Sequence, residues 1–165
     1  NMSVIRCIVG RSGSGKDFIG NILSRDLGIP MLVTYTTREM REGEINGKEH
    51  WFINKQQMDY IKNNKQMIAY TKIGEVEYCG LYEDVVDKDI IYIINPNGIK
   101  YIKEHFKDLE LKIIYVYANE KTREQRVKSR SDYESSYKKR YESEDEEFKE
   151  FEENQEWDYI IENSI

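Results

Sequence analysis

Apolar and polar positions follow two rhythms along this chain. Val4-Ile5-Arg6-Cys7-Ile8-Val9, Ile90-Ile91-Tyr92-Ile93-Ile94 and Ile113-Ile114-Tyr115-Val116-Tyr117 are nearly continuous apolar, β-branched runs. Such runs mark strands buried on both faces of a parallel sheet. Between them apolar residues recur at helical spacing, as Phe18, Ile19, Ile22, Leu23 and Leu27, and again as Ile99, Ile102 and Phe106. Asn119 opens a further helix, Tyr133 to Glu153 reads as a long charged helix, and Asp158-Tyr159-Ile160-Ile161 as a last strand. This alternation predicts an α/β fold with a parallel central sheet and helices on both faces.

One region breaks the rhythm. Met31 to Tyr35 and His50 to Ile53 read as short strands, and Met67 to Cys79 as a hairpin turning at Gly74. Asn54 caps a helix that turns Met58 and Ile61 inward. The stretch from about 35 to 82 therefore reads as a smaller mixed β insertion within one domain spanning 2–165, whose core is 2–34 and 83–165.

The first strand runs straight into Gly10-Arg11-Ser12-Gly13-Ser14-Gly15-Lys16-Asp17, and a helix follows. Strand, glycine loop, lysine and helix together form the context of a phosphate-binding loop. Glycines let the backbone bring its N–H groups up to phosphate oxygens, the helix N-terminus adds its positive end, and Lys16 supplies a mobile charge. The pattern GxxxxGK[ST] ends in Asp17 instead of a hydroxyl. A carboxylate there suits the first turn of a helix and can ligate Mg²⁺, directly or through water.

Composition narrows the class. Of the net charge of −6, residues 142–156 carry −8, so the remainder is about +2 and free to gather Arg and Lys around an anion. The acidic run itself reads as a solvated helix face. No basic stripe with interleaved aromatics favours nucleic acid. Cys7 and Cys79 suggest neither a disulfide framework nor a metal site, and no apolar stretch is long enough to span a membrane. The expectation is a cytoplasmic protein, monomer or homodimer, acting on a small anionic ligand.

Thr34-Tyr35-Thr36-Thr37-Arg38-Glu39-Met40-Arg41-Glu42-Gly43-Glu44-Ile45-Asn46-Gly47-Lys48-Glu49-His50-Trp51-Phe52 is the second informative stretch. Arg38 and Arg41 form a plausible phosphate clamp, since a guanidinium fork matches phosphate oxygens. The stretch resembles the TTRxxRxGExxGxxYxF signature of guanylate kinases. The resemblance extends over the phosphate loop, Tyr78-Cys79-Gly80, Asn95-Pro96-Asn97-Gly98, the arginines from 126 to 140 and Trp157-Asp158-Tyr159-Ile160-Ile161-Glu162-Asn163.

That resemblance implies a P-loop three-layer fold with an acceptor-binding subdomain and a helical lid, here about 126–142. It implies ATP and Mg²⁺ as donor and metal, held by Gly10, Arg11, Ser12, Gly13, Ser14, Gly15, Lys16, Asp17 and Asn163. Arg38 and Arg41 would hold the acceptor phosphate, with His50 and Tyr78 at tyrosine positions of the family. Thr34 matches a serine that contacts the acceptor base, and Asn95 lies in the altered acidic motif. Lys16, Arg38, Arg126, Arg130 and Arg140 would serve the transfer itself. Departures gather at base-reading positions: a glutamate aligns with Ala69, a hydroxyl residue with Leu81 and an aspartate with Asn95. The acceptor expected is GMP or dGMP with altered base reading. The alternatives are another (deoxy)nucleotide, a small phosphorylated acceptor, or a non-catalytic interaction module built on the same fold.

Overall fold

In the computed structural model, which describes residues 3–129 and 138–165, four strands form a parallel sheet. Its order is β6 (Ile90–Ile93), β1 (Ile5–Val9), β7 (Leu111–Tyr117), β8 (Tyr159–Glu162). β1 is central because both of its edges are paired, Ile8 with Ile93 on one side and with Ile114 on the other. Period-two alternation then sends Ile8, Ile114 and Val116 to one face, where Ile19 and Leu23 of α1 (Lys16–Leu27) cover them. Cys7, Val9, Ile113 and Tyr115 go to the other face, against Ile99 and Ile102 of α3 (Pro96–His105) and Phe148 and Phe151 of α5 (Lys138–Glu153). α4 (Glu120–Lys128) starts at Asn119, whose side chain accepts from Thr122 N. α1 stops at Gly28, which takes the left-handed conformation (φ 67°) that favours glycine.

The second sheet is mixed, in the order β3 (His50–Phe52), β2 (Thr34–Thr36), β5 (Val76–Leu81), β4 (Met67–Ile73). The sequence places a short strand at Met31–Tyr35. In the structure Met31 makes only an isolated bridge to Ile91, and the strand proper begins at Thr34 in this second sheet. The local residues explain the shift: Pro30 precedes Met31 and cannot donate to a ladder, while the threonines that follow suit a half-exposed strand.

α2 (Lys55–Asn64) starts with a capping box between Asn54 and Gln57 and lays Met58 and Ile61 over Cys79 and Leu81. Ile68 of β4 reaches the main core, so the two sheets share apolar packing.

Glu77 of β5 also lies under α2, with its side chain inaccessible to solvent. Tyr70 Oη donates to it at 2.5 Å, Lys55 Nζ lies at 3.1 Å, and Lys62 closes a third contact. The lysines, led by Lys62, hold its carboxyl down at about 2. Because the folded value lies below the unfolded one, this contribution is complete above the ordinary carboxylate range and is lost as pH falls toward about 2. Glu77→Gln is expected to destabilise the protein by about 2 kcal/mol at neutral pH. It should also flatten the decline of stability between pH 4.5 and about 2, read by urea denaturation across that window.

Candidate active site

The phosphate loop follows β1 at the carboxyl edge of the parallel sheet, where such sheets bind ligands. Gly13 (φ 82°) and Gly15 (φ 87°) take left-handed backbone conformations. Space is short as well as shape: a Cβ on Gly13 would lie 2.6 Å from Arg123 O, and one on Gly15 would lie 2.4 Å from Asn163 Nδ2.

The loop is tied down from outside. Arg126 donates to Gly13 O (3.1 Å), Ser14 O (3.2 Å) and Asn163 O (2.8 Å), and Asn163 Nδ2 donates to Ser14 O (2.8 Å). Ser14 N donates to Arg11 O, and Ser12 N donates to the Glu144 carboxylate at 2.9 and 3.1 Å. The N–H groups of Gly13, Gly15 and Lys16 have no hydrogen-bond partner among the described residues. They are the donors left for an anion.

Some expected residues stand elsewhere. Arg11 turns its side chain away from the loop, to Glu152 (2.7 and 2.9 Å) and Asp145, above the Phe148 ring. Its guanidinium borders a separate cavity of about 850 Å³ beneath α5. Arg126 braces the loop from behind. Arg130 lies outside the described residues, and Arg140 is described only by its helical backbone in α5.

Asp17 offers an oxygen donor for a metal. Its exposed side chain sits in the first turn of α1, and its carboxylate has no partner among the described residues. No cluster of three or more metal-ligating side chains exists among those residues. A hard cation would therefore be held by Asp17 together with phosphate oxygens and water, which fits Mg²⁺.

The mixed sheet builds the facing wall. Its alternation directs Thr34, Ala69, Thr71, Tyr78 and Gly80 into a cavity of about 560 Å³, which Arg38, Arg41, His50 and Asn95 also line. Arg38 donates to both Glu44 oxygens at 2.9 Å and lies over Phe52, while Arg41 N donates to Glu44 at 2.7 Å. The Arg38 hydrogen bonds, outweighing desolvation, bring the Glu44 carboxyl down to about 2. His50 is opposite Thr34 in the β2–β3 ladder, and its Nδ1 lies 3.1 Å from Thr34 Oγ1. Burial, and then Arg38, push the His50 pKa down, so the ring is neutral at pH 7. Asn95 is the residue before α3, but its side chain makes no capping bond. Leu81 is not at the cavity; it lies under α2, and Gly80 takes the cavity position.

Glu144 is the residue that sequence reasoning missed. Only 5% exposed, it lines the arginine-bearing cavity and accepts from Ser12 N and Ser12 Oγ (2.8 Å), which joins that cavity to the phosphate loop. The acidic run around it hides a helical stripe in which Glu144, Phe148, Phe151 and Glu152 face inward.

A phosphate loop joined through Glu144 to a cavity walled by an arginine-bearing sheet is the arrangement of a P-loop kinase of the nucleoside monophosphate class. A model of the guanylate kinase family matches residues 3–165. The chain belongs to that family. The guanylate kinase of Clostridium tetani is 31% identical over 142 residues, 82% of this chain and 68% of that one. That of Ehrlichia chaffeensis is 35% identical over 72 residues, 42% of this chain and 34% of that one. The crystal structure of guanylate kinase from Anaplasma phagocytophilum has the same fold, with a TM-score of 0.64 at 20% identity, over 98% of this chain and 77% of that one. No helix among the described residues is long and apolar enough to cross a membrane.

Glu144→Ala would leave the buried Ser12 N–H unpaired. The expected loss is about 1–3 kcal/mol in urea denaturation, and Glu144→Gln, which keeps an acceptor oxygen, should recover part of it.

Proposed function

We propose that this protein transfers the γ-phosphoryl group of ATP to a nucleoside monophosphate, with GMP or dGMP the acceptors that its relatives point to. The observation that carries this reading is that Glu144 both lines the cavity that holds Arg38 and Arg41 and accepts from Ser12 of the phosphate loop. Donor phosphates at the loop and acceptor phosphate at the arginine pair would be brought together on either side of this contact. Phosphoryl transfer asks little covalent chemistry of a protein; it asks for alignment and charge neutralisation.

The free N–H groups of Gly13, Gly15 and Lys16 hold the donor phosphates, and the Lys16 ammonium follows the charge on the transferred group. Asp17 would hold Mg²⁺, whose charge would offset that of the donor phosphates. Asn163 borders the donor side through Gly15 and Ser14. Arg41, and Arg38 preset by Glu44, receive the acceptor phosphate; Tyr78 and neutral His50 flank it, and Thr34 meets the acceptor base. Arg130 and Arg140, in the lid segment about 126–142, close over the transfer and exclude water. Arg126 acts from behind, by fixing the loop's shape. The insertion 35–82 works as the acceptor-binding subdomain, and the protein works as a monomer or homodimer in the cytoplasm.

A second reading, with a different (deoxy)nucleotide as acceptor, is favoured by Ala69 and Gly80 at the cavity, because neither side chain can hydrogen-bond a base.

ADP release in a coupled assay, run over a panel of monophosphates with ATP and Mg²⁺, tests both readings. Lys16→Ala should lower kcat by about 10²–10³-fold with every acceptor. Arg41→Ala should raise the acceptor KM about tenfold, the worth of one charged hydrogen bond. Near-full activity of Lys16→Ala would refute the mechanism, and no binding of ATP by calorimetry would point to an interaction module instead.

A further inference from the structure

Tyr92 sits on β6, next to Cys7 in the parallel ladder, and is 5% exposed. Its ring packs in the main core, yet the residue also lines the acceptor cavity. The hydroxyl lies against Gly80: a Cβ built there would be 3.0 Å from Tyr92 Oη. Gly80 in turn pairs with Ala69 in the β4–β5 ladder, so two of the smallest side chains meet where the phenol reaches the cavity wall. Tyr92 Oη has no hydrogen-bond partner among the described residues, and it is not sealed off from the cavity. A buried tyrosine normally finds a partner for its O–H. Here the partner has to come from whatever fills the cavity.

We propose that Tyr92 is a specificity-determining residue for the acceptor, whose phenol O–H donates to a ring carbonyl oxygen of the acceptor base. The proposal rests on the reading of this cavity as the acceptor site. Burial pushes the Tyr92 pKa up, so the phenol keeps its proton throughout the neutral range. The wall offers that proton no acceptor of its own. An exocyclic amine in the same place would donate to Oη and leave the phenol proton unpaired and buried. Oxo bases such as guanine and hypoxanthine satisfy the hydroxyl; adenine, with an amine in place of the carbonyl, does not. Recognition thus comes from the core sheet, through a residue 23 positions beyond Ala69, and needs no carboxylate at Ala69.

The test compares GMP, IMP and AMP as acceptors for the wild type and Tyr92→Phe, which keeps the ring and removes the hydroxyl. In the wild type, GMP and IMP should exceed AMP in kcat/KM. In Tyr92→Phe the ratio of GMP to AMP should fall about tenfold, with the loss in KM for GMP. A second readout does not require turnover. Tyr92→Phe without nucleotide should melt no lower than the wild type, because the hydroxyl has no partner to lose, and the rise in Tm produced by GMP should shrink. If the monophosphates are phosphorylated and Tyr92→Phe discriminates among them as the wild type does, the role of Tyr92 is overturned while the kinase reading stands. If none is phosphorylated but GMP raises Tm less in Tyr92→Phe, the kinase reading falls and the role of Tyr92 stands.

Discussion

The structure depends on how the phosphate loop's backbone is satisfied. A loop that must present bare N–H groups to an anion cannot close them in hydrogen bonds of its own, and unpaired backbone donors are costly when buried. Here the burden is divided. The carbonyls of Gly13 and Ser14 are taken by Arg126 and Asn163, and Ser12 N–H is taken by Glu144. Three elements distant in sequence therefore hold one short loop: the last turn of α4, the residue after β8 and the middle of α5. What remains open is the set of donors a polyphosphate requires.

The arginine-bearing wall obeys the same rule with opposite charges. Arg38 and Arg41 would repel each other and wander if left alone on a surface loop. Glu44 accepts from the Arg38 fork and from the Arg41 backbone, which fixes both arginines near one point. Glu77 does similar work one layer back. It is held by Tyr70 and two lysines of α2, and its backbone carbonyl accepts from Thr36 Oγ1, so the β2–β5 junction that carries the clamp is anchored by a buried, fully engaged residue. The phosphate loop and the arginine pair are thus each supported by a protein carboxylate placed just behind them.

Much of this was legible in the chain. The buried strands, the glycine loop, the Asn54 cap, the turn at Gly74 and the Arg38/Arg41 pair each carry a local signal, and local signals survive folding. What stayed hidden depends on contacts between distant residues. Nothing in the spacing of Glu144 distinguishes it from the eight acids around it; only the packing of Phe148 and Phe151 decides which carboxylates turn inward. Arg126 looks like a lid arginine by position, and its role as a brace follows from where β8 ends. Tyr92 reads simply as a core residue in an apolar run, because the cavity beside it is made by other strands.

The register of β5 shows how one residue controls the acceptor cavity. Met67 pairs with Leu81, but two residues later Ala69 pairs with Gly80, so Ile68 is the extra residue of a bulge. A one-residue slip exchanges the faces of a strand. With the bulge in place, Glu77, Cys79 and Leu81 turn toward α2, and Tyr78 and Gly80 turn toward the cavity. The aligned hydroxyl position thus falls on a core leucine, and the cavity receives a glycine instead. That glycine leaves the Tyr92 hydroxyl its room, since any side chain at 80 would press against it at 3.0 Å. The glycine that β5 turns to the cavity and the room left beside it for the Tyr92 phenol of β6 are therefore one structural event, set by where Ile68 bulges into the core.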